Sequence, residues 1–188
     1  KLFHRGKVSA IFSVGYYMLI VTTDRISAFD VIMPDPVPGK GVILNQMSAF
    51  WFEKMKDIIP HHIVSTNPAE FPAETAPYRD SLEGRSMLVK KATPLPVECI
   101  VRGYISGSGW KDYQRDRTIS GITLPAGLKE SSRLPEAIFT PTTKAPEGEH
   151  DSPISRKEMA DIIGAELTAS VINISLAIYQ RAASMALK

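Results

Sequence analysis

The sequence is poor in cysteine, in long apolar runs and in net charge. Only Cys99 is a cysteine among the 188 residues, which excludes an internal disulfide and a metal site built from several cysteines. No apolar run approaches the roughly 18–20 residues of a membrane-spanning helix, and the start, K-L-F-H-R-G, lacks the apolar core of a signal peptide. These absences predict a soluble, cytoplasmic protein with no membrane partner.

The charge balance argues against a nucleic-acid surface. The 22 lysines and arginines are nearly matched by 20 acidic residues, which leaves a net charge of +2, whereas nucleic-acid-binding domains carry a clear basic excess. The hydrophobic content of 44% is typical of a globular protein, and the length allows one domain or two small ones. Any anion-binding site must therefore be formed by a small group of neighbouring residues rather than by a broad basic surface.

One stretch has the residues of such a local site. Residues 97–110 read V-E-C-I-V-R-G-Y-I-S-G-S-G-W, and the β-forming residues in 97–101 predict a short buried strand that ends at Arg102. The glycines and serines of 103–109 predict a flexible turn. Its backbone N–H groups and hydroxyls could converge with the Arg102 guanidinium on a phosphate or carboxylate. An ordinary glycine-rich turn beside a surface arginine has the same composition.

The pattern before this stretch predicts a β-rich half of the chain. An opening β-hairpin includes a strand over 16–22, and another strand covers 86–90. Between them we expect a rigid proline-rich loop over 33–41, a helix over 45–59 and a proline-rich surface connection over 67–78. Prolines after Lys91 predict a hinge between two lobes.

A polar cluster follows the first of these strands. Asp24, Arg25, Ser27 and Asp30 place two carboxylates and a guanidinium at a strand end, where ligands often bind. A turn that satisfies its own charges through a salt bridge explains the same residues.

The pattern after the stretch predicts a polar loop and then two helices. Over 142–151, hydroxyls and Lys144 suit an anion and the acidic residues suit Mg²⁺ or an ammonium group, although a solvated loop has the same composition. Ser155 and Glu158 have the spacing of a capping box. Gly164 separates that helix from a second one, whose apolar residues recur every three or four positions from Leu167 to Met185.

Four long motifs in order resemble the SAICAR synthetase family, the phosphoribosylaminoimidazole-succinocarboxamide synthases. They are T-D-R-I-S-A-F-D-V-I-M-P-D-P-V-P-G-K-G, L-P-V-E-C-I-V-R-G-Y-I-S-G-S-G-W-K-D-Y-Q, G-I-T-L-P-A-G-L-K-E-S and I-F-T-P-T-T-K-A-P-E-G-E-H-D. The resemblance extends from about Gly6 to the last residue.

The resemblance implies an α+β, two-lobed fold of ATP-grasp or kinase-like type. It implies an N-terminal antiparallel β lobe over 1–91 that binds ATP and an α/β substrate lobe over 92–188, with the nucleotide in the cleft. The implied enzyme is an ATP-dependent ligase that joins L-aspartate to carboxyaminoimidazole ribonucleotide (CAIR), giving SAICAR, ADP and phosphate in purine biosynthesis. The accepted chemistry proceeds through an acyl phosphate, with ATP and Mg²⁺ as cofactors. A homo-oligomer is compatible with it.

The resemblance also implies roles for individual residues. Those expected around ATP are Gly6, Lys7, Val8, Lys90 and Lys91. Those expected to bind or shape the site for CAIR are Arg102, Ser106, Gly107 and Ser108. Those expected to be catalytic are Lys144 and Asp151, and those expected elsewhere in the substrate pocket are Asp30, Lys40, Thr140 and His150. No metal ligand is assigned.

The sequence departs from the family pattern in two places. The family reads G-K-V-R-D where Ser9 and Ala10 stand here, so either this loop lacks part of its chemistry or residues are missing near Ser9. The family also continues past the last helix into a strand of D-T-K-F-E-F-G type and an acidic segment, which this sequence lacks. Two hypotheses follow: a SAICAR synthetase, or a truncated, catalytically inactive protein that binds nucleotide or CAIR.

Overall fold

The computed structural model describes residues 1–29, 31–145 and 151–187. Its internal contacts divide the chain into two compact units, Lys1–Thr93 and Pro94–Lys188. Helices accompany antiparallel strand pairs in both, which confirms the α+β class. The expected assignment of 1–91 to ATP and 92–188 to substrate concerns ligands, and it stays a prediction.

Within residues 1–29 and 31–93, the first unit contains seven strands and two α-helices. In chain order these are β1 Leu2–Arg5, β2 Ser9–Val14, β3 Tyr17–Thr22, β4 Ser27–Ala28, β5 Val31–Ile32, α1 Lys40–Met55, β6 Ile63–Ser65, α2 Arg79–Leu82 and β7 Ser86–Lys90. Two short 3₁₀ helices, Pro68–Glu70 and Ala73–Tyr78, precede α2.

A five-stranded antiparallel sheet organises the first unit. Its strand order is β1-β2-β3-β7-β6, and β2 and β3 form the expected hairpin, paired from Ser9 opposite Thr22 to Val14 opposite Tyr17. One face covers a core made by Val14, Leu19, Phe71, Leu82 and Leu88. The segment 67–78 therefore differs from the expected surface connection, because buried Phe71 anchors it beneath the sheet.

Helix α1 begins five residues earlier than the pattern predicts. Lys40 and Gly41 lie in its first turn, so the predicted rigid loop over 33–41 is wrong at its end. The cause is a cap from outside the segment: the Asp24 carboxylate accepts hydrogen bonds from Gly39 N at 3.3 Å and Gly41 N at 2.8 Å. An anion at this position satisfies free N–H groups at the helix start.

The described part of the second unit, residues 94–145 and 151–187, contains six short strands and three helices. In chain order these are β8 Val97–Glu98, β9 Val101–Tyr104, α3 Gly107–Asp116, β10 Thr118–Ile119, β11 Ile122–Thr123, β12 Arg133–Phe139, β13 Thr142–Thr143, α4 Arg156–Ile163 and α5 Ala165–Ala186. The strand pairs are β8 with β13, β9 with β12 and β10 with β11, all antiparallel.

The stretch 97–110 folds differently from its prediction. The expected single strand is two, β8 and β9, because each pairs with a different partner. The expected flexible turn over 103–109 is wrong as well, since α3 begins at Gly107. Tyr113 is buried among Ile105, Ile119 and their neighbours, and Trp110 packs against this core. That packing holds the glycine–serine segment in a helix.

The C-terminal helices follow the predicted boundaries. Ser155 and Glu158 form both hydrogen bonds of the capping box at the start of α4, and Gly164 separates α4 from α5. The predicted apolar face of α5 is wrong at Leu167, which is 42% exposed beside buried Thr168, whereas Val171 of that face packs against a buried core. Its Tyr179 lies against Gly103, where a Cβ would come 1.9 Å from the tyrosine hydroxyl.

Among the described residues, no helix is both long and apolar enough to cross a membrane.

Candidate functional site

The strand-borne guanidinium of Arg102 is the centre of a small polar cluster in the second unit. Its Nε donates to Thr140 Oγ1 at 3.1 Å, and its Nη2 donates to Ser108 Oγ at 3.2 Å. Thr140 directly follows β12, which pairs with β9 so that Ile138 stands opposite Arg102. Antiparallel pairing thus brings Thr140 to Arg102, and α3 adds Ser108. The sequence expectation assigned all three side chains to the substrate.

The start of α3 adds backbone donors to this cluster. Ser106 is the N-cap in an extended conformation, and its side chain makes no capping hydrogen bond. The first turn contains no acidic residue, so its free N–H groups and the helix dipole favour an anion. Gly107 has a φ of +56°, a conformation that glycine adopts at little cost. Arg102, Ser106, Gly107 and Ser108 therefore form an arrangement suited to a phosphate or carboxylate.

Two expected catalytic residues lie at the ends of the polar loop. Lys144 is exposed, and its backbone N donates to Pro96 O at 3.3 Å. Asp151 is exposed too, and its Oδ1 accepts from Ala145 N at 2.7 Å. The Asp151 carboxylate thereby joins the two ends of this loop. The expected pocket residues His150 and Asp30 lie outside the described residues.

The expected ATP loop, Gly6 to Val8, joins β1 to β2. Arg25 holds it from the neighbouring segment: its Nη2 donates to Gly6 O at 3.1 Å and to Ser9 O at 3.4 Å. Val8 O accepts from the backbone N and the hydroxyl of Thr23 at 2.9 and 2.8 Å. Lys7 is exposed in this loop. Arg25 and Thr23, which follow β3, thus order the backbone of this loop.

Asp24 and Lys40 are bound within the first unit. The Asp24 carboxylate accepts from Arg85 Nη1 at 3.2 Å as well as from the start of α1, and Lys40 Nζ donates to Arg25 O at 3.0 Å. Asp24 is therefore in a salt bridge, but its partner Arg85 lies outside the turn, so the interpretation of a turn that satisfies its own charges is wrong for Asp24. The interpretation of Lys40 as a pocket residue stays a prediction. Sequence reasoning missed Arg85, because no local signal links it to a carboxylate 61 positions earlier.

The environment of Asp24 predicts a change in acid stability. The Gly41 N–H, followed by Gly39 and Arg85, holds the pKa of this carboxyl below its usual value of 3.8. A lowered folded-state pKa stabilises the fold above the unfolded-state pKa, and this stabilisation disappears as pH falls through the folded-state pKa. Urea unfolding from about pH 6 down to pH 2 should therefore show a shallower loss of stability in Asp24→Asn than in the wild type.

The control for this prediction is Asp161→Asn, which removes an exposed carboxylate on α4 and gives the same change in net charge. Equal acid dependence in Asp24→Asn and the wild type would contradict the prediction.

The two expected nucleotide-binding lysines lie at the end of β7. The backbone N of Lys90 donates to His62 O at 2.8 Å, whereas Lys91 Nζ donates to Gly15 O at 3.0 Å. Both side chains are exposed. These contacts place both lysines near the hairpin turn between β2 and β3. Their assignment to ATP stays a prediction.

No group of three or more histidine, cysteine or acidic side chains suited to a metal occurs in the described ranges. Mg²⁺ in nucleotide sites is commonly held by one or two carboxylates together with phosphates and water. Asp151 can supply one such carboxylate oxygen, since Ala145 N engages Oδ1 and no other described residue engages Oδ2.

Comparison with known proteins gives a consistent result. The family model described as SAICAR synthetase matches residues 2–188. The chain is 62% identical over 186 residues to the phosphoribosylaminoimidazole-succinocarboxamide synthase of Geotalea uraniireducens and 61% identical over the same length to that of Geobacter sulfurreducens. In each case the match covers 99% of this chain and 63% of the relative.

A solved structure agrees. SAICAR synthase from Saccharomyces cerevisiae, complexed with SAICAR, has a TM-score of 0.86 and 41% identity, covering 96% of this chain and 61% of that one. This chain thus spans less than two thirds of the length of these relatives, and over that span both sequence and fold agree. The chain belongs to the SAICAR synthetase family.

Proposed function

We propose that this chain carries the ATP-binding and CAIR-binding parts of an ATP-dependent ligase that joins L-aspartate to CAIR to give SAICAR, ADP and phosphate. The observation that carries the proposal is the family match over residues 2–188. The cytoplasm is the proposed location, since a single cysteine suits a reducing compartment.

The Arg102 cluster supports the assignment of CAIR to the second unit. CAIR bears a phosphate and a carboxylate, and the cluster supplies a guanidinium, the Ser108 hydroxyl and the N–H groups at the start of α3. Charged hydrogen bonds of this kind are stronger than neutral ones. Arg102 and Ser108 would therefore hold an anionic group of CAIR, with Ser106 and Gly107 shaping the backbone around it.

The loop held by Arg25 supports the assignment of ATP to the first unit. Gly6, Lys7 and Val8 would lie near the phosphates, with Lys90 and Lys91 contributing further positive charge. Mg²⁺, when bound with ATP, would neutralise phosphate charge during transfer. Lys144 and Asp151 are proposed to act at the reacting groups. Lys40, Asp30 and His150 complete the proposed substrate side, where L-aspartate would also bind, and Thr140 supports it from behind Arg102.

The test is ADP release by this chain with ATP, Mg²⁺, CAIR and L-aspartate, omitting each substrate in turn. ADP formation that requires both CAIR and L-aspartate is the expected result for the ligase. Absence of turnover, with CAIR still bound, would instead support a catalytically inactive binding protein. Absence of both turnover and binding would contradict both candidates.

A further inference from the structure

Thr140 is held rigidly in the interior of the second unit. Its exposed fraction is 2%, and its neighbours Phe139 and Pro141 are both fully buried. Its backbone N donates to Ile100 O at 2.8 Å. The hydroxyl therefore has a fixed position, although burial of this degree separates it from any dissolved ligand.

The Thr140 hydroxyl accepts a hydrogen bond from the Arg102 side chain. A hydroxyl has one proton to donate and two lone pairs. Thr140 Oγ1 accepts from Arg102 Nε at 3.1 Å, and its own proton is directed to Ile100 O at 3.4 Å. An anionic ligand needs donors, and the only proton of this hydroxyl is already directed to a carbonyl oxygen. Direct binding of substrate by Thr140 does not fit this geometry.

The same bond fixes the orientation of the guanidinium. Because a guanidinium is planar, holding Nε and Nη2 fixes the whole plane, and these two atoms are held by Thr140 and Ser108. Gly109 leaves room for the group, since a Cβ there would lie 3.4 Å from Arg102 Nη1. No group in residues 1–29, 31–145 or 151–187 accepts a hydrogen bond from Nη1. Among the described residues, therefore, no protein group competes with a ligand for the Nη1 donors.

We propose that Thr140 is a positioning residue, which does not touch substrate but orients Arg102 so that its remaining N–H groups meet an anionic group of CAIR. The proposal rests on the proposed function for its ligand. Its structural half, the control of the Arg102 side chain by the Thr140 hydroxyl, is independent of any ligand.

The experiment compares Thr140→Val, which removes the hydroxyl at nearly constant volume, with Thr140→Ser, which retains it. Proton exchange of the Arg102 Nε–H is measured by NMR in the free proteins, with the Nε–H of Arg115 as an internal control because it donates to Asp116. Slow exchange of the Arg102 proton is expected in the wild type and Thr140→Ser, and fast exchange in Thr140→Val. CAIR affinity is measured by calorimetry in the same proteins and in Arg102→Ala.

The expected changes in CAIR affinity follow from the proposal that Thr140 acts through Arg102. Thr140→Val should weaken CAIR binding about tenfold, and Thr140→Ser should restore most of that loss. In the Arg102→Ala background, Thr140→Val should have no further effect, because coupled residues are not additive.

Several results would overturn the proposal. These are unchanged Nε–H exchange in Thr140→Val, or an equal loss of affinity from Thr140→Val with and without Arg102. If Thr140→Val does not fold, fast exchange of the Arg102 proton in the wild type would also refute it. If the wild type shows slow exchange but no CAIR binding, the proposed function fails while the positioning of Arg102 by Thr140 stands.

Discussion

Replacement of Arg102 by alanine is expected to weaken CAIR binding by about 1.5–3 kcal/mol, or roughly 10- to 150-fold in Kd. The substitution removes a charged donor whose Nε and Nη2 are already oriented by Thr140 and Ser108. Preorganised donors bind more strongly because less motion is lost when the ligand arrives. Isothermal titration of CAIR into the wild type and the variant measures the effect.

The matched control is Arg115→Ala, which makes the same change in net charge within the second unit. Arg115 is 68% exposed on α3 and pairs with Asp112 and Asp116, so its loss should leave the Kd for CAIR within about twofold, as for exposed ion pairs. Arg102→Lys retains the charge without the planar fork and should give an intermediate affinity. An unchanged Kd in Arg102→Ala would refute the assignment of Arg102 to CAIR.

Gly41→Ala is expected to destabilise the fold by about 1–3 kcal/mol, the typical cost of an added methyl group in a packed site. Helix propensity alone predicts the opposite sign, a gain of about 0.8–1 kcal/mol for glycine to alanine in a helix. Packing decides the sign here: a Cβ at Gly41 would lie 2.5 Å from Thr22 O and 3.0 Å from Asp24 Oδ1. Backbone at the end of β3 cannot move away as a flexible side chain would. Urea unfolding measures the difference.

Ser170→Ala is the control for helix propensity, because Ser170 lies exposed on α5. This variant should be slightly more stable than the wild type, by a few tenths of a kcal/mol. A gain in stability for Gly41→Ala similar to that of Ser170→Ala would show that the contact with Thr22 O imposes no cost.

Local patterns predicted the elements whose stabilising groups are near in sequence. The hairpin of β2 and β3, the strand β7, the capping box at Ser155 and the break at Gly164 depend on neighbours a few residues away. The early start of α1 depends instead on Asp24, 15 residues before Gly39. The division of 97–104 into two strands depends on β12 and β13, which follow some 30 to 45 positions later. Distant partners of this kind leave no periodic signal in one sequence.

The candidate site was predictable in part for a similar reason. The resemblance named Arg102, Ser108 and Thr140, and the structure brings these three together. It gave no indication that Thr140 is buried and faces the guanidinium, because burial arises from the pairing of β9 with β12. The ligands of all three residues stay predictions.

The hydrogen bonds from Arg25 to the loop between β1 and β2 affect the entropy of ligand binding. Fixing the backbone of one residue costs about 1–2 kcal/mol of conformational entropy, and Gly6, Val8 and Ser9 already have backbone carbonyls held by Arg25 or Thr23. Folding itself therefore meets most of the cost of ordering this loop. A nucleotide that binds here would find a loop whose backbone freedom is already restricted, so ordering of that backbone would contribute little to its binding entropy.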